Sequence, residues 1–212
     1  MKKLCFTAFI AGLVVPVAAI AQTFGQYTTA AIASEGEGGI FVRGGDEAVR
    51  TGIMARFELT NRSDLGLQIG FDREYRENSF GAGLDFKFYL ISAVSDFPLD
   101  LAIDLSLGHL RSGNYSRNIL GIGLLVSGEL RSVSSLEPYA FITVLNTYFP
   151  KKASCHEEHP SQWPCSEDDW KSDTETVLRG GAKYALTEEY QLLAEVELGD
   201  EITFGAALNI IF

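Results

Sequence analysis

The chain has 212 residues, 46% of them hydrophobic and 21% charged, with a formal net charge of −11 at pH 7. That length accommodates one domain, and no linker or low-complexity tract divides it. The acidic balance argues against a nucleic-acid partner, which requires a basic face.

At the N-terminus, Lys2 and Lys3 precede an apolar run from Leu4 to Ile20, and Ala19-Ile20-Ala21 offers small residues at both positions of a cleavage site. This three-part pattern predicts a secretory signal peptide over residues 1–21. The run is short for a spanning helix, and Gly12 and Pro16 interrupt it, which disfavours an uncleaved anchor. Cys5 lies well upstream of the cleavage site, so no lipid anchor is expected. Cleavage leaves Gln22 first and, by removing Lys2 and Lys3, takes the formal charge to −13.

Beyond the leader the chain reads as strands. A short first segment lies near Gly39 to Arg43. Ile53, Ala55, Phe57 and Leu59 then alternate with Arg56, Glu58 and Thr60, and Leu65, Leu67, Ile69 and Phe71 with Gly66, Gln68, Gly70 and Asp72. Phe80, Ala82, Leu84, Phe86 and Phe88 alternate with Gly81, Gly83, Asp85 and Lys87. Leu99, Leu101, Ile103, Leu105 and Leu107 alternate with Asp100, Asp104, Ser106 and Gly108. Residues 118–130 set Leu120, Ile122, Leu124, Val126 and Leu130 against Gly121, Gly123, Ser127 and Glu129. Residues 136–149 are strand-like but apolar on both faces, which leaves their facing open. Leu178, Ala182 and Tyr184 oppose Arg179, Gly181 and Lys183, and Tyr190, Leu192, Ala194, Val196 and Leu198 oppose Gln191, Glu195 and Glu197. In the last segment Ile202, Phe204, Ala206, Leu208, Ile210 and Phe212 share one face. Period two over such lengths specifies strand, not helix. The count is ten, or eight if the end segments are not strands.

A β-sandwich also alternates, but its polar face meets open solvent. Here the polar face combines glycine with both signs of charge: Arg56, Glu58, Asp85, Lys87, Asp104, Glu129, Arg179, Lys183, Glu195 and Glu197. Opposite charges can pair across a narrow lumen, and glycine leaves room for them. The expected fold is therefore an all-β, antiparallel up-and-down transmembrane barrel with its apolar face toward lipid. Aromatic residues near strand ends, Phe71 and Phe80 at one end and Phe88, Tyr184, Tyr190 and Phe212 at the other, predict two interfacial girdles. Connections at Asn61 to Asp64, Ile91 to Pro98, Arg131 to Ser135 and Thr187 to Glu189 read as short periplasmic turns, and Arg73 to Asn78, Arg111 to Arg117 and Pro150 to Asp173 as longer outer loops. On this reading residues 22–38 are an N-terminal periplasmic segment and residues 39–212 the barrel.

The final segment, with Phe204, Leu208 and Ile210 at alternate positions before Phe212, resembles the C-terminal assembly signal of bacterial outer-membrane proteins. With the leader, the whole chain resembles small outer-membrane barrels of the OmpA/OmpX type. The resemblance implies assembly by periplasmic chaperones and the barrel-assembly machinery, and implies no activity.

Two cysteines remain after cleavage, Cys155 and Cys165, and an even count in an exported chain predicts a disulfide. Cys155, Cys165, His156 and His159 also have the composition of a zinc site, which export disfavours. The neighbouring acids Glu157, Glu158, Glu167, Asp168 and Asp169 read as a solvated loop or a weak cation site, and Trp163 and Trp170 as loop packing or contacts to lipopolysaccharide. His109 and Ser112 lie at one strand end, but His109 shares the lipid-facing parity and no third partner is evident, so no catalytic set is expected. The sequence thus points to a monomeric outer-membrane barrel without cofactor or resident metal. Its lumen is filled by side chains, its contacts are lipid and lipopolysaccharide, and its role is structural or adhesive. A narrow solute channel and a lipid-modifying enzyme are the alternatives.

Overall fold

The computed structural model describes residues 27–31, 33, 36–45, 48–74, 77–91, 98–112, 115–130, 133, 135–149 and 171–212. The proposed leader, the cleavage site, and Cys155 and Cys165 lie outside these residues. Ten strands follow one another: β1 (Glu37–Gly44), β2 (Ala48–Thr60), β3 (Ser63–Glu74), β4 (Glu77–Ile91), β5 (Asp100–Ser112), β6 (Tyr115–Ser127), β7 (Leu136–Phe149), β8 (Lys171–Ala185), β9 (Tyr190–Leu198) and β10 (Ile202–Ile211). Each pairs antiparallel with its chain neighbour, and β1 pairs with β10 to close the sheet. The fold is the ten-stranded all-β up-and-down barrel expected from the alternation.

Closure is completed beyond the last registered pair. The Gly36 N–H donates to Phe212 O at 3.1 Å, and the Phe212 N–H donates to Gly36 O at 2.9 Å. A closed barrel has no unpaired edge, so backbone polar groups in the wall are satisfied without water.

The two ends can be named by their connections. At the turn end, β2 meets β3, β4 meets β5, β6 meets β7 and β8 meets β9, and both the start of β1 and the end of β10 lie there. The opposite, loop end carries the long connection 150–170. The expected contrast in loop length is corrected. Strands β3 to β6 run further than the alternation suggested, so only residues 75–76 and 113–114 separate their loop-end partners. At the turn end, residues 92–99 and 128–135 are the longer connections. Only the 150–170 connection supports sidedness by length.

Strand β7 settles its facing in the structure. Glu137, Tyr139, Phe141 and Thr143 are buried inside, whereas Ala140, Ile142 and Val144 are exposed outside. Both faces read as apolar because the middle of the lumen is itself partly hydrophobic. Tyr27, Phe41, Ala102, Leu110, Leu125, Tyr139, Phe141 and Leu193 belong to one buried cluster there.

Candidate functional site

The lumen holds the chain's concentrated chemistry. Because directly opposed residues in antiparallel strands share a face, the register decides which charges meet. Arg56 lies opposite Gly66, and Gly66 opposite Asp85. Lys87 lies opposite both Asp64 and Asp104. The Arg56 guanidinium therefore spans Gly66, pairing Nη1 with Asp64 and Nη2 with Asp85. Lys87 Nζ reaches Asp64 Oδ2 at 3.0 Å. All four side chains are buried. Gly66 is part of the design: a Cβ there would strike the Asp85 carboxylate and would stand 2.6 Å from Arg56 Nη2.

The loop-end half has its own network. Arg43 Nη2 lies 2.5 Å from Glu197 and Nη1 3.6 Å from Glu195, while Arg43 Nε donates to Thr203 Oγ1 at 2.7 Å. Arg179 pairs with the same Glu197 carboxylate, and its guanidinium lies 5.6 Å from the Phe141 ring centre. The Tyr139 hydroxyl donates to Glu195 at 3.1 Å. Nearer the loops, Asp72 receives Arg50 at 3.0 Å and Arg117 at 3.5 Å. At the turn end Lys183 pairs with Glu137 at 2.6 Å, and Ser127 donates to the same carboxyl at 2.7 Å.

The structure thus brings together Arg56, Asp85 and Lys87 as one group and Arg179, Glu195 and Glu197 as another, with Lys183 in a separate pair and Asp104 buried opposite Lys87. Two expected lumen charges are corrected. Glu58 is exposed at the turn end, beside the irregularity that breaks the β2–β3 register between Glu58 and Thr60. Glu129 is exposed beyond the end of β6, which stops at Ser127. Arg43, Arg50, Asp64 and Glu137 were missed. Arg43 sits in the weakly patterned first strand, Asp64 falls in a stretch that reads as a turn, and Glu137 lies in the strand that is apolar on both faces. Asp72 stood on the polar parity but was not singled out.

The larger correction concerns residues 22–38. No part of the described segment before β1 lies free below the barrel: Tyr27, Thr28, Thr29, Ala30 and Ala33 are buried, and β1 begins at Glu37. Lys87 Nζ donates to Thr29 O at 2.7 Å, Ala31 O at 2.6 Å and Thr28 Oγ1 at 3.2 Å. The Ala30 N–H donates to Ser127 Oγ at 3.0 Å, and the Ala33 N–H to Asp64 Oδ2 at 3.2 Å. The Tyr27 ring stacks on Phe41, centroids 5.4 Å apart, and its hydroxyl donates to Val42 O at 3.4 Å. Residues 27–31 and Ala33 therefore plug the lumen. Nothing in its hydropathy distinguishes it from an exposed tail, since Thr and Ala suit either setting. Beside Tyr27, Arg56 and Asp85 a residual cavity of about 10 Å³ remains, room for one water at most.

Outside, the parity is reversed. Leu105 is 48% exposed where its neighbour Ser106 is fully buried. Ile40, Ile53, Ile69, Ile122, Ile142 and Phe204 are likewise exposed around the wall. The residues likened to an assembly signal, Phe204, Leu208, Ile210 and Phe212, all project outward from β10. Phe71 meets Phe80 edge-on at 5.4 Å toward the loop end, and Phe57 meets Phe212 edge-on at 6.5 Å at the turn end. His109 stays outside the lumen, with Nδ1 2.7 Å from Asn118 Oδ1 on the adjacent strand.

No protein-family model matches the chain, and no curated protein matches its sequence. Its structure is similar to the N-terminal β-barrel domain of Pseudomonas aeruginosa OprF, at 14% identity over 84% of this chain and 97% of that one, with a TM-score of 0.41. It is similar to the KdgM porin at 11% identity over 83% and 99% of the two chains, TM-score 0.43. It is also similar to a bacterial polysaccharide outer membrane secretin at 10% identity, TM-score 0.48, where 78% of this chain spans only 57% of the secretin. The OprF domain is itself described as a β-barrel, and this chain is a closed barrel by its own strand pairing.

Proposed function

We propose that the protein is a monomeric bacterial outer-membrane barrel with a side-chain-filled, charged lumen and a structural or adhesive role. The observation that carries this reading is the content of the lumen. The Arg56–Asp64–Asp85–Lys87 group and the plug of residues 27–31 and Ala33 fill the turn-end half, and the cavity left beside them would hold one water at most. A band of Leu, Ile, Val and Phe on the outer wall supports a lipid setting, because such a surface would drive association in water. The outer partners on this reading are lipid and lipopolysaccharide, with the 150–170 connection, closed by a Cys155–Cys165 disulfide, presented outside. Insertion through the barrel-assembly machinery and the absence of an enzymatic role belong to the same proposal. The test is planar-bilayer conductance of the refolded protein. The reading expects no stepwise current at ±100 mV, and a reproducible unitary conductance would replace it with a narrow channel.

A further inference from the structure

The contacts of the plug have the form of a binding site, not of generic packing. Three wall groups read its main chain through four hydrogen bonds: Lys87 takes the carbonyls of Thr29 and Ala31, Ser127 takes the Ala30 N–H, and Asp64 takes the Ala33 N–H. Such contacts recognise the course of a peptide main chain, here one that bends at Ala30 and Ala31, and do not depend on its side chains. Two further features add selectivity. Thr28, Thr29, Ala30 and Ala33 are all buried, so the segment presents small side chains to the wall there. Tyr27 occupies a shaped seat: it stacks on Phe41, and any side chain at Gly205 would collide with its ring. Tyr27 also has φ of 40°, a left-handed conformation that a non-glycine residue keeps only where its surroundings hold it.

We propose that the turn end of the lumen is a peptide-binding socket, and that it accepts in trans a short peptide of the pattern aromatic, then four small residues. Residues 27–31 and Ala33 are its resident ligand. Tethering supplies that segment at an effective concentration in the millimolar range, so an outside peptide binds measurably only once the resident one is detached. The socket depends on the lumen wall and not on whether the barrel conducts, so it stands or falls separately from the structural role.

The experiment inserts a site-specific protease sequence between Ser34 and Glu35 in the full chain, which is refolded with its own plug and then cut. A fluorescein-labelled peptide of residues 26–33 is titrated against cut and uncut barrel and followed by anisotropy, with mass spectrometry reporting whether the cut segment remains. The expected result is saturable binding to the cut barrel and none to the uncut one. The same peptide carrying Tyr27→Ala should bind at least tenfold more weakly, and this variant does not depend on barrel folding. Lys87→Met in the cut barrel should weaken binding by a similar factor. A cut segment that stays through gel filtration and is displaced by labelled peptide also supports the socket. Departure of the segment with no peptide uptake would overturn it, as would equal binding of the Tyr27→Ala peptide.

Discussion

Arg56 offers the sharpest test of the lumen network. Its guanidinium is shared between Asp64 and Asp85, all within the barrel. Arg56→Met keeps most of the side-chain volume but strands Asp85, which is 1% exposed, while Asp64 retains Lys87 at 3.0 Å. Leaving one buried charge uncompensated should cost about 3–5 kcal/mol. Asp85→Asn leaves Arg56 paired with Asp64 and removes one charged hydrogen bond, a loss of about 2 kcal/mol. The double variant contains neither half of the Arg56–Asp85 pair, so its cost should fall short of the sum by about 2–3 kcal/mol. An exposed ion pair would couple by less than about 1 kcal/mol. Urea unfolding of the refolded proteins in lipid vesicles measures all four corners of the cycle. A coupling below about 0.5 kcal/mol would refute the claim that these charges are held out of water by the closed barrel.

Leu105→Arg should destabilise the inserted barrel by about 2–4 kcal/mol, as for a lipid-facing site near the midplane, measured by the same unfolding assay. Ser106→Arg, one residue on, points into the lumen and escapes the lipid penalty, but it should still destabilise the barrel by a clash, because Ser106 is fully buried and its Oγ would already touch a Cβ on Gly121; a Ser106→Arg barrel of unchanged stability would contradict the packing. Gly205→Leu should unseat the Tyr27 ring and cost about 1–3 kcal/mol, whereas in a Tyr27→Ala background the same substitution should cost much less. Phe212→Asp should lower the folded fraction on unheated gels, since the ring rests against Gly36 and edge-on to Phe57 and its backbone closes the barrel seam. Cys155 and Cys165 should resist maleimide labelling until reductant is added, and Cys155→Ser should leave the barrel inserted but open residues 150–173 to external protease.

The sequence by itself determined the strands and, outside β1 and β7, their facing. Side chains alternate along a strand whatever lies beside it, so runs such as Leu101 to Leu107 or Tyr190 to Leu198 declare which residues face out before any partner is known. Eight such runs, with Arg56, Asp85, Lys87, Asp104, Arg179, Glu195 and Glu197 on the polar parity, were enough for a barrel with charges inside. What alternation cannot carry is register and depth. Glu58 ends exposed at the turn end of β2, which stops at Thr60, and Glu129 beyond β6, which stops at Ser127, so both depend on how far the strands reach along the barrel. The pairing of Arg56 with Asp64 and Asp85, and of Arg43 with Glu197, follows from how far each strand is shifted as the sheet closes between β1 and β10. The facing of β7 was hidden because a lumen wide enough for Tyr139 and Phe141 accepts aromatic residues on its inner wall. The plug was hidden for a different reason. Its backbone is bound by Lys87, Ser127 and Asp64, residues far away along the chain, and only a closed barrel gathers those three donors and acceptors around one segment.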